Sequence, residues 1–259
     1  VVRQFYSCIP CKAAYNEQIA IVMNRTNKFN RKKYTDDATI MAWEIANEPR
    51  PMRPFANEDY KKFIAETAAL IKKKDKNHLV AVGHEGRIGT ESAEIFEEIH
   101  ADKNIDYLTI HIWAKNWNWF RNEKLAEDFP KAAQKAVAYI NEHLTIAKKL
   151  NKPLVIEEFG LPRNAQSFDI NSPTTLRDEY FEKFFAILAE STKQNGHLAG
   201  ASFWAFGGTA RPIKNQPFWK KGDDYMGDPP MEEQGLNTVF DSDRTTWQII
   251  NKYSKSLGK

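Results

Sequence analysis

No run of about twenty apolar residues occurs in this 259-residue sequence, so no helix of membrane-spanning length is expected. Charge of one sign is also missing. The 37 basic and 34 acidic residues leave a formal net charge of +3, a small lysine excess rather than the basic footprint of a nucleic-acid binder. The run Lys72-Lys73-Lys74 falls in the last turn of a predicted helix, where cations complement the helix dipole. Cysteine is scarce: two residues, with no Cys/His cluster, exclude a zinc site. Cys8 and Cys11 have the Cys-Ile-Pro-Cys spacing of a redox pair. No βαβ unit precedes them as in a thioredoxin-like protein, so a structural thiol or a local disulfide is expected. The first residues, Val-Val-Arg-Gln-Phe, are neither a methionine start nor a signal peptide.

Aromatic residues are plentiful by contrast. Several of the seven tryptophans lie in loops after apolar runs rather than at periodic core positions, and sugar rings have apolar faces that stack on such side chains. A hydrophobic content of 42% suffices for one large core or two small ones, and with no linker residues 1–259 read as a single domain. Residues 12–27 carry a helical pattern and 38–46 form a first strand. A helix over 57–74 follows, with Asn57 as its N-cap and Glu58 and Asp59 in its first turn. Strands over 78–83, 105–113, 153–158 and 198–204 alternate with helices over 91–100, 131–150 and from Thr175, whose spacing to Asp178 reads as a capping box. A loop rich in Gly, Pro, Asp and aromatics runs to residue 240, before a last helix capped by Asp241 or Asp243. Strand followed by helix recurs along the whole chain, which predicts an α/β fold with a parallel sheet wrapped by helices.

Two carboxylates stand at the ends of such strands. Glu48 follows the amide of Asn47 and precedes a chain-turning proline in Trp-Glu-Ile-Ala-Asn-Glu-Pro-Arg; Glu158 lies in Val-Ile-Glu-Glu-Phe-Gly. Strand ends are where an α/β barrel presents its chemistry. Successive side chains of a strand point to opposite faces, so only one of Glu157 and Glu158 is expected to enter the site. Taken alone, Glu48 also reads as a helix-start carboxylate, Asn47 as a turn former and His111 as a satisfied buried histidine. Together, Glu48 and Glu158, with His111 and Trp204 at two further strand ends, read as the acid/base and nucleophile of a retaining glycosidase and their surroundings. Arg50, Glu85, Trp113 and Trp117 fall on successive strand-end loops and are candidates for binding sugars beyond the cleavage point, with loop packing the alternative for the tryptophans.

At these motifs the sequence resembles glycoside hydrolase family 5, and most closely its endo-β-mannanase branch. Residues 42–50 resemble the fourth strand of that family's TIM (β/α)8 barrel, which places the acid/base on Glu48 and a sugar-binding amide on Asn47. His111-Ile112-Trp113 resembles the sixth strand, and residues 152–160 resemble the seventh, which puts the nucleophile on Glu158. Ser202-Phe203-Trp204 resembles the eighth, with Trp204 as the floor under the sugar at the cleavage point. His111 is given a supporting part, not proton transfer. The resemblance implies endo-acting, retaining hydrolysis of β-1,4-mannosidic bonds in mannan, glucomannan or galactomannan, with neither cofactor nor metal, by a secreted or periplasmic protein. An endo-β-1,4-glucanase would use the same carboxylates, and a non-catalytic glycan-binding protein is the alternative from a different class. If residues 38–46 are the fourth strand, the family's first three strands have no counterpart here and residues 12–27 correspond to its third helix. Such a barrel would have open strand edges, which a complementing chain, self-association or the remainder of a longer gene product would cover, with no nucleic-acid or membrane partner expected.

Overall fold

The computed structural model describes residues 2–52 and 54–257. Two compact units are distinguished: one runs to Ile110 and includes Ile146–Pro153, the other consists of His111–Thr145 and the chain from Leu154. The divide falls inside a strand (β3, Leu108–Ile112) and a helix (α5, Leu125–Leu150), not at a linker.

In the first unit, helix α1 (Ile9–Met23) begins earlier than the expected residue 12. Cys8 caps it, its sulfur accepting the Cys11 N–H at 3.2 Å, and Pro10 brings a preset φ to the first turn. The two cysteines are joined in a disulfide across that turn. Strand β1 (Ala42–Glu44) is shorter than 38–46, because the Asp37 carboxylate accepts both the N–H and the hydroxyl of Thr39 and bends the approach into a turn. β1 pairs in parallel with β2 (Leu79–Ala81), and the ladder continues past both strands. Ile45 and Ala46 donate to the Ala81 and Val82 carbonyls at 3.1 Å, and Glu48 donates to Gly83 at 2.8 Å. That ladder brings Glu48 to the carboxyl end of the strand pair in register.

Between these strands, α2 (Asn57–Lys74) lays Tyr60, Phe63, Ile64, Ala68 and Ile71 on Ile45, Val80 and Val82. Asn57 is its first residue and not its N-cap: a 3-10 turn at Pro54–Ala56 runs directly into the helix, and Ala56 holds the cap position without a side-chain bond. The helix expected over 91–100 is two, α3 (Arg87–Thr90) and α4 (Ala93–His100). Glu91 takes a left-handed φ of 66° between them, and Ser92 caps the second by accepting the Ile95 N–H at 3.1 Å.

A polar anchor holds the opposite end of the β1–β2 pair. Asp75 accepts the Trp43 indole N–H at 2.7 Å and is hydrogen-bonded with His78 Nδ1 at 2.6 Å, while His78 Nε2 lies 3.0 Å from the Asp37 carbonyl. Burial alone would lower the His78 pKa, but hydrogen bonds to Asp75 and Asp37 outweigh it and hold the imidazole above its ordinary value of 6.5. A histidine whose folded value is raised contributes stability that is full below its unfolded value and is lost as pH rises through the folded one. Thermal melts are therefore expected to show melting temperature falling as pH is raised from about 6.5, with a smaller fall in His78→Gln. Parallel curves for the two proteins would show that His78 contributes nothing.

In the second unit, β4 (Leu154–Phe159) and β5 (Leu198–Ala201) pair in parallel. Ser202 and Trp204 extend that ladder, donating to Ile156 at 2.8 Å and Phe159 at 2.9 Å. Behind β4, Phe159 stacks on Phe184 of α6 (Thr175–Lys193) with ring centroids 4.5 Å apart and meets Phe181 edge-on. The cap of α6 is Thr174, one residue before the expected Thr175, with its hydroxyl donating to Asp178 at 2.9 Å. Helix α5 begins ahead of the expected Lys131 and runs through Pro130. Arg121 secures its acidic first turn, at 2.6 Å from Asp128 and 3.1 Å from Glu127. Within the expected loop before residue 240, β6 (Phe206–Gly208) and β7 (Val239–Phe240) pair in parallel, too short to show a period of two. Asp243 then leads into α7 (Arg244–Leu257), its carboxylate engaged by Arg163, Arg177 and the Phe240 N–H. No helix among the described residues is long and apolar enough to cross a membrane.

Candidate active site

In the first unit, the segment from Asn47 to Arg50 leaves the β1 ladder by a turn that its surroundings enforce. Glu48 has φ +46°, a left-handed conformation uncommon for a residue with a Cβ. Its N–H is fixed on Gly83, the Pro49 carbonyl accepts the Tyr60 hydroxyl at 2.9 Å, and the Arg50 carbonyl accepts the Tyr6 hydroxyl at 2.7 Å. Tyr60 also contacts His84 Nε2, and burial pushes its hydroxyl pKa far up, so it stays a donor; burial pushes Tyr6 up to about 12. Gly83, at φ +82°, lets the chain approach so closely that a Cβ there would strike the Ala46 carbonyl. Asn47 itself is exposed. The Arg50 guanidinium lies 3.6 Å from Glu48 Oε2 and is ion-paired with Glu85, whose side chain is 1% exposed. Glu85 therefore holds Arg50 from below rather than standing open at a surface.

In the second unit, the end of β4 gathers the remaining candidates. The Trp113 indole N–H donates to Glu158 Oε2 at 3.0 Å, and His111 Nδ1 lies 3.2 Å from the same oxygen. The other imidazole nitrogen is 3.7 Å from Glu157 Oε2. Adjacent carboxylates thus flank one histidine, and the two contacts to Glu158 converge on its Oε2. Gly160 makes this packing fit: a Cβ there would lie 2.6 Å from the Trp204 carbonyl and 3.1 Å from the Trp113 ring. Trp204 is bonded through its N–H to Phe159, next to Glu158, and its indole N–H donates to Asp228 at 3.1 Å. Burial raises the Asp228 pKa above the ordinary carboxylate value, while donation from Gly235, Trp204 and Thr238 pulls it the other way. Trp117 packs edge-on against Trp119 at 4.9 Å and tilted against Tyr139 of α5 at 5.2 Å, which is loop packing of the kind weighed from sequence.

Tyr60, Gly160 and Asp228 are not among the candidate site residues of the sequence. Tyr60 lies in the buried apolar stripe of α2, where its hydroxyl carries no periodic signal. Asp228 sits in Gly-Asp-Pro-Pro of the long loop, a turn composition with no mark of its partner.

A family model described as GH family 5 beta-mannosidase-like matches residues 1–259. Tomato (Solanum lycopersicum) mannan endo-1,4-beta-mannosidase 4 is 29% identical over 210 residues, 77% of this chain and 50% of that protein. The crystal structure of a glycoside hydrolase family 5 mannosidase from Rhizomucor miehei is 32% identical, with a TM-score of 0.85 over 98% of this chain and 61% of that one; a variant of it has been solved in complex with mannosyl-fructose. The endo-beta-1,4-mannanase from Thermotoga petrophila, at 23% identity and a TM-score of 0.70, shares the fold. This chain spans about half the length of the tomato relative. Its parallel strand–helix order is that of the TIM-barrel enzymes. With the whole sequence matched by that model, the chain belongs to glycoside hydrolase family 5, in its beta-mannosidase-like group.

Proposed function

We propose that this protein is an endo-acting, retaining glycoside hydrolase that cleaves β-1,4-mannosidic bonds in mannan, glucomannan or galactomannan. The observation that carries the reading is the Glu158 carboxylate, held through one oxygen by Trp113 and His111 at the end of β4. The two contacts on Oε2 fix the orientation of the carboxylate, and Oε1 attacks the anomeric carbon. Glu48 serves as the acid that protonates the departing oxygen and then, once the glycosyl ester has formed, as the base that takes a proton from water. Retention by this route requires the two carboxyl groups about 5–5.5 Å apart. Asn47 binds the sugar 2-hydroxyl, and Trp204 lies under the ring at the cleavage point.

A second reading is favoured by one specific comparison. The solved mannosidase at TM-score 0.85 has a variant in complex with mannosyl-fructose, a short mannoside, whereas the endo-mannanase reaches 0.70. Cleavage of single mannosyl units from short chains is therefore the alternative within the same chemistry. Incubation with mannan, mannosyl-fructose and cellulose separates them: oligosaccharides of mixed length from mannan support the endo reading, mannose alone supports the second, and sugars released from cellulose alone overturn both. A secreted or periplasmic location fits a polymeric substrate, and the Cys8–Cys11 disulfide fits an oxidising compartment. β1 is paired among the described residues with β2 alone, and we propose that its other edge takes a further strand, from a longer form of this gene product, from another chain or from a second copy, with sedimentation testing the last two.

A further inference from the structure

The segment from Met226 to Thr238 is ordered around one buried carboxylate. Asp228 is 3% exposed, and each of its oxygens is assigned. Oδ1 accepts the Trp204 indole N–H at 3.1 Å; Oδ2 accepts the Gly235 N–H at 3.0 Å and the Thr238 hydroxyl at 3.3 Å. Buried Gln234 locks the turn by donating from Nε2 to the carbonyls of Asp228, Pro229 and Glu232 at 3.1, 2.8 and 3.2 Å. Gly227, at φ +97°, lets the turn close on Ala205, whose Cβ would lie 2.6 Å from a Cβ at position 227. No cation appears among these contacts, so neutral donors compensate the carboxylate. A buried acid held this way is costly unless its geometry is kept, which makes it a stiff support.

Trp204 is the side chain so supported, and only half of its orientation comes from its own backbone. The N–H bond to Phe159 sets where the residue starts. The indole plane is set at its far edge by Asp228. We propose that Asp228 is the positioning residue of Trp204: by accepting the indole N–H it fixes the plane against which a sugar ring beside Glu158 lies. This deepens the proposed function and rests on its placement of Trp204 under the sugar. Asp228 touches no substrate; it acts through the tryptophan.

The test reads geometry and binding separately. In 15N-labelled protein the indole signal missing from Trp204→Phe identifies Trp204 among the seven tryptophans. Asp228→Asn is expected to move that signal and leave the other six in place, because an amide can present its oxygen to Trp204 or to Gly235 and Thr238, but not to both sides. Calorimetry with mannotetraose, on protein also carrying Glu48→Gln so that the sugar is bound rather than cleaved, is expected to show affinity weakened about tenfold by Asp228→Asn, the scale of a lost hydrogen bond to a charged group. In the Trp204→Phe background the same substitution is expected to change affinity less than about twofold, since the bond it acts through is already gone. An unmoved Trp204 signal overturns the inference, as does an undiminished loss in the Trp204→Phe background, which would make Asp228 a general support of its loop. Should Asp228→Asn not fold, Asp228→Ser carries the same readings. Protein carrying Glu48→Gln alone that binds no mannotetraose, with the indole signal still responding to Asp228, sinks the proposed function and leaves the positioning contact standing.

Discussion

Replacing Glu158 by alanine is expected to abolish formation of a covalent glycosyl-enzyme and to lower kcat on mannan by on the order of 10⁴ to 10⁶, the range seen when a member of a covalent catalytic set is deleted. The expectation follows from the end of β4, where Trp113 and His111 both address Oε2 and nothing comparable among the described residues addresses Glu157. Alanine leaves those donors without their acceptor and removes the attacking oxygen, so both nucleophilicity and pre-organisation are lost at once. A 2-fluoromannosyl fluoride makes the outcome visible: the 2-fluorine slows both steps, the fluoride leaving group restores the first, and the ester accumulates. Wild-type protein should gain the mass of one fluoromannosyl group on the peptide containing Glu158, and Glu158→Ala should gain none. Label on Glu157 would show that the strand presents the other neighbour.

The adjacent acids mark where the sequence stopped being sufficient. Strand alternation says that Glu157 and Glu158 face oppositely, but it does not say which face carries the chemistry, and choosing Glu158 needed family resemblance. In the structure both flank His111, and the distinguishing contact is the Trp113 indole N–H, contributed from the residue after β3. Trp113 shows the same limit from the other side. As a strand-end aromatic it read as a candidate for binding sugar or for loop packing; its N–H also serves the carboxylate, a directional bond that composition and spacing do not encode.

Elements with a strong period were legible. Helix α2 was placed at its full extent, because its apolar stripe, acidic first turn and basic last turn agree. Capping details were off by a residue at α2 and α6, where a preceding turn feeds the helix and shifts the cap. β6 and β7 were missed because strands of two or three residues, two of them glycines, hold no alternation to read. The contacts that order the site lie between segments far apart in sequence: Tyr60 on Pro49, Asp228 on Trp204, Arg50 on Glu85. Each single residue looked ordinary, and its partner was visible only after folding.

Substituting glutamine for Glu48 is expected to cripple hydrolysis of mannan by about 10² to 10⁴ while leaving substrate binding largely intact, the typical contribution of a general acid. An amide keeps the size and a hydrogen-bonding oxygen but cannot donate the proton that the departing sugar oxygen needs. Arg50 stays ion-paired with Glu85, and the turn is held through the Glu48 N–H and the Pro49 and Arg50 carbonyls, so the backbone should not collapse around the new side chain. The loss should therefore depend on the leaving group. With a dinitrophenyl mannoside, whose phenolate departs without protonation, formation of the ester should approach the wild-type rate, and the ester should then accumulate because the substituted amide cannot activate water. Azide, a nucleophile that needs no base, should restore turnover in the variant and yield the β-mannosyl azide, since two inversions retain configuration. Near-normal mannan hydrolysis by Glu48→Gln, or an equal loss on both substrates, would place the acid on another residue, because an interaction made only through proton donation must weaken as the leaving group's need for a proton disappears.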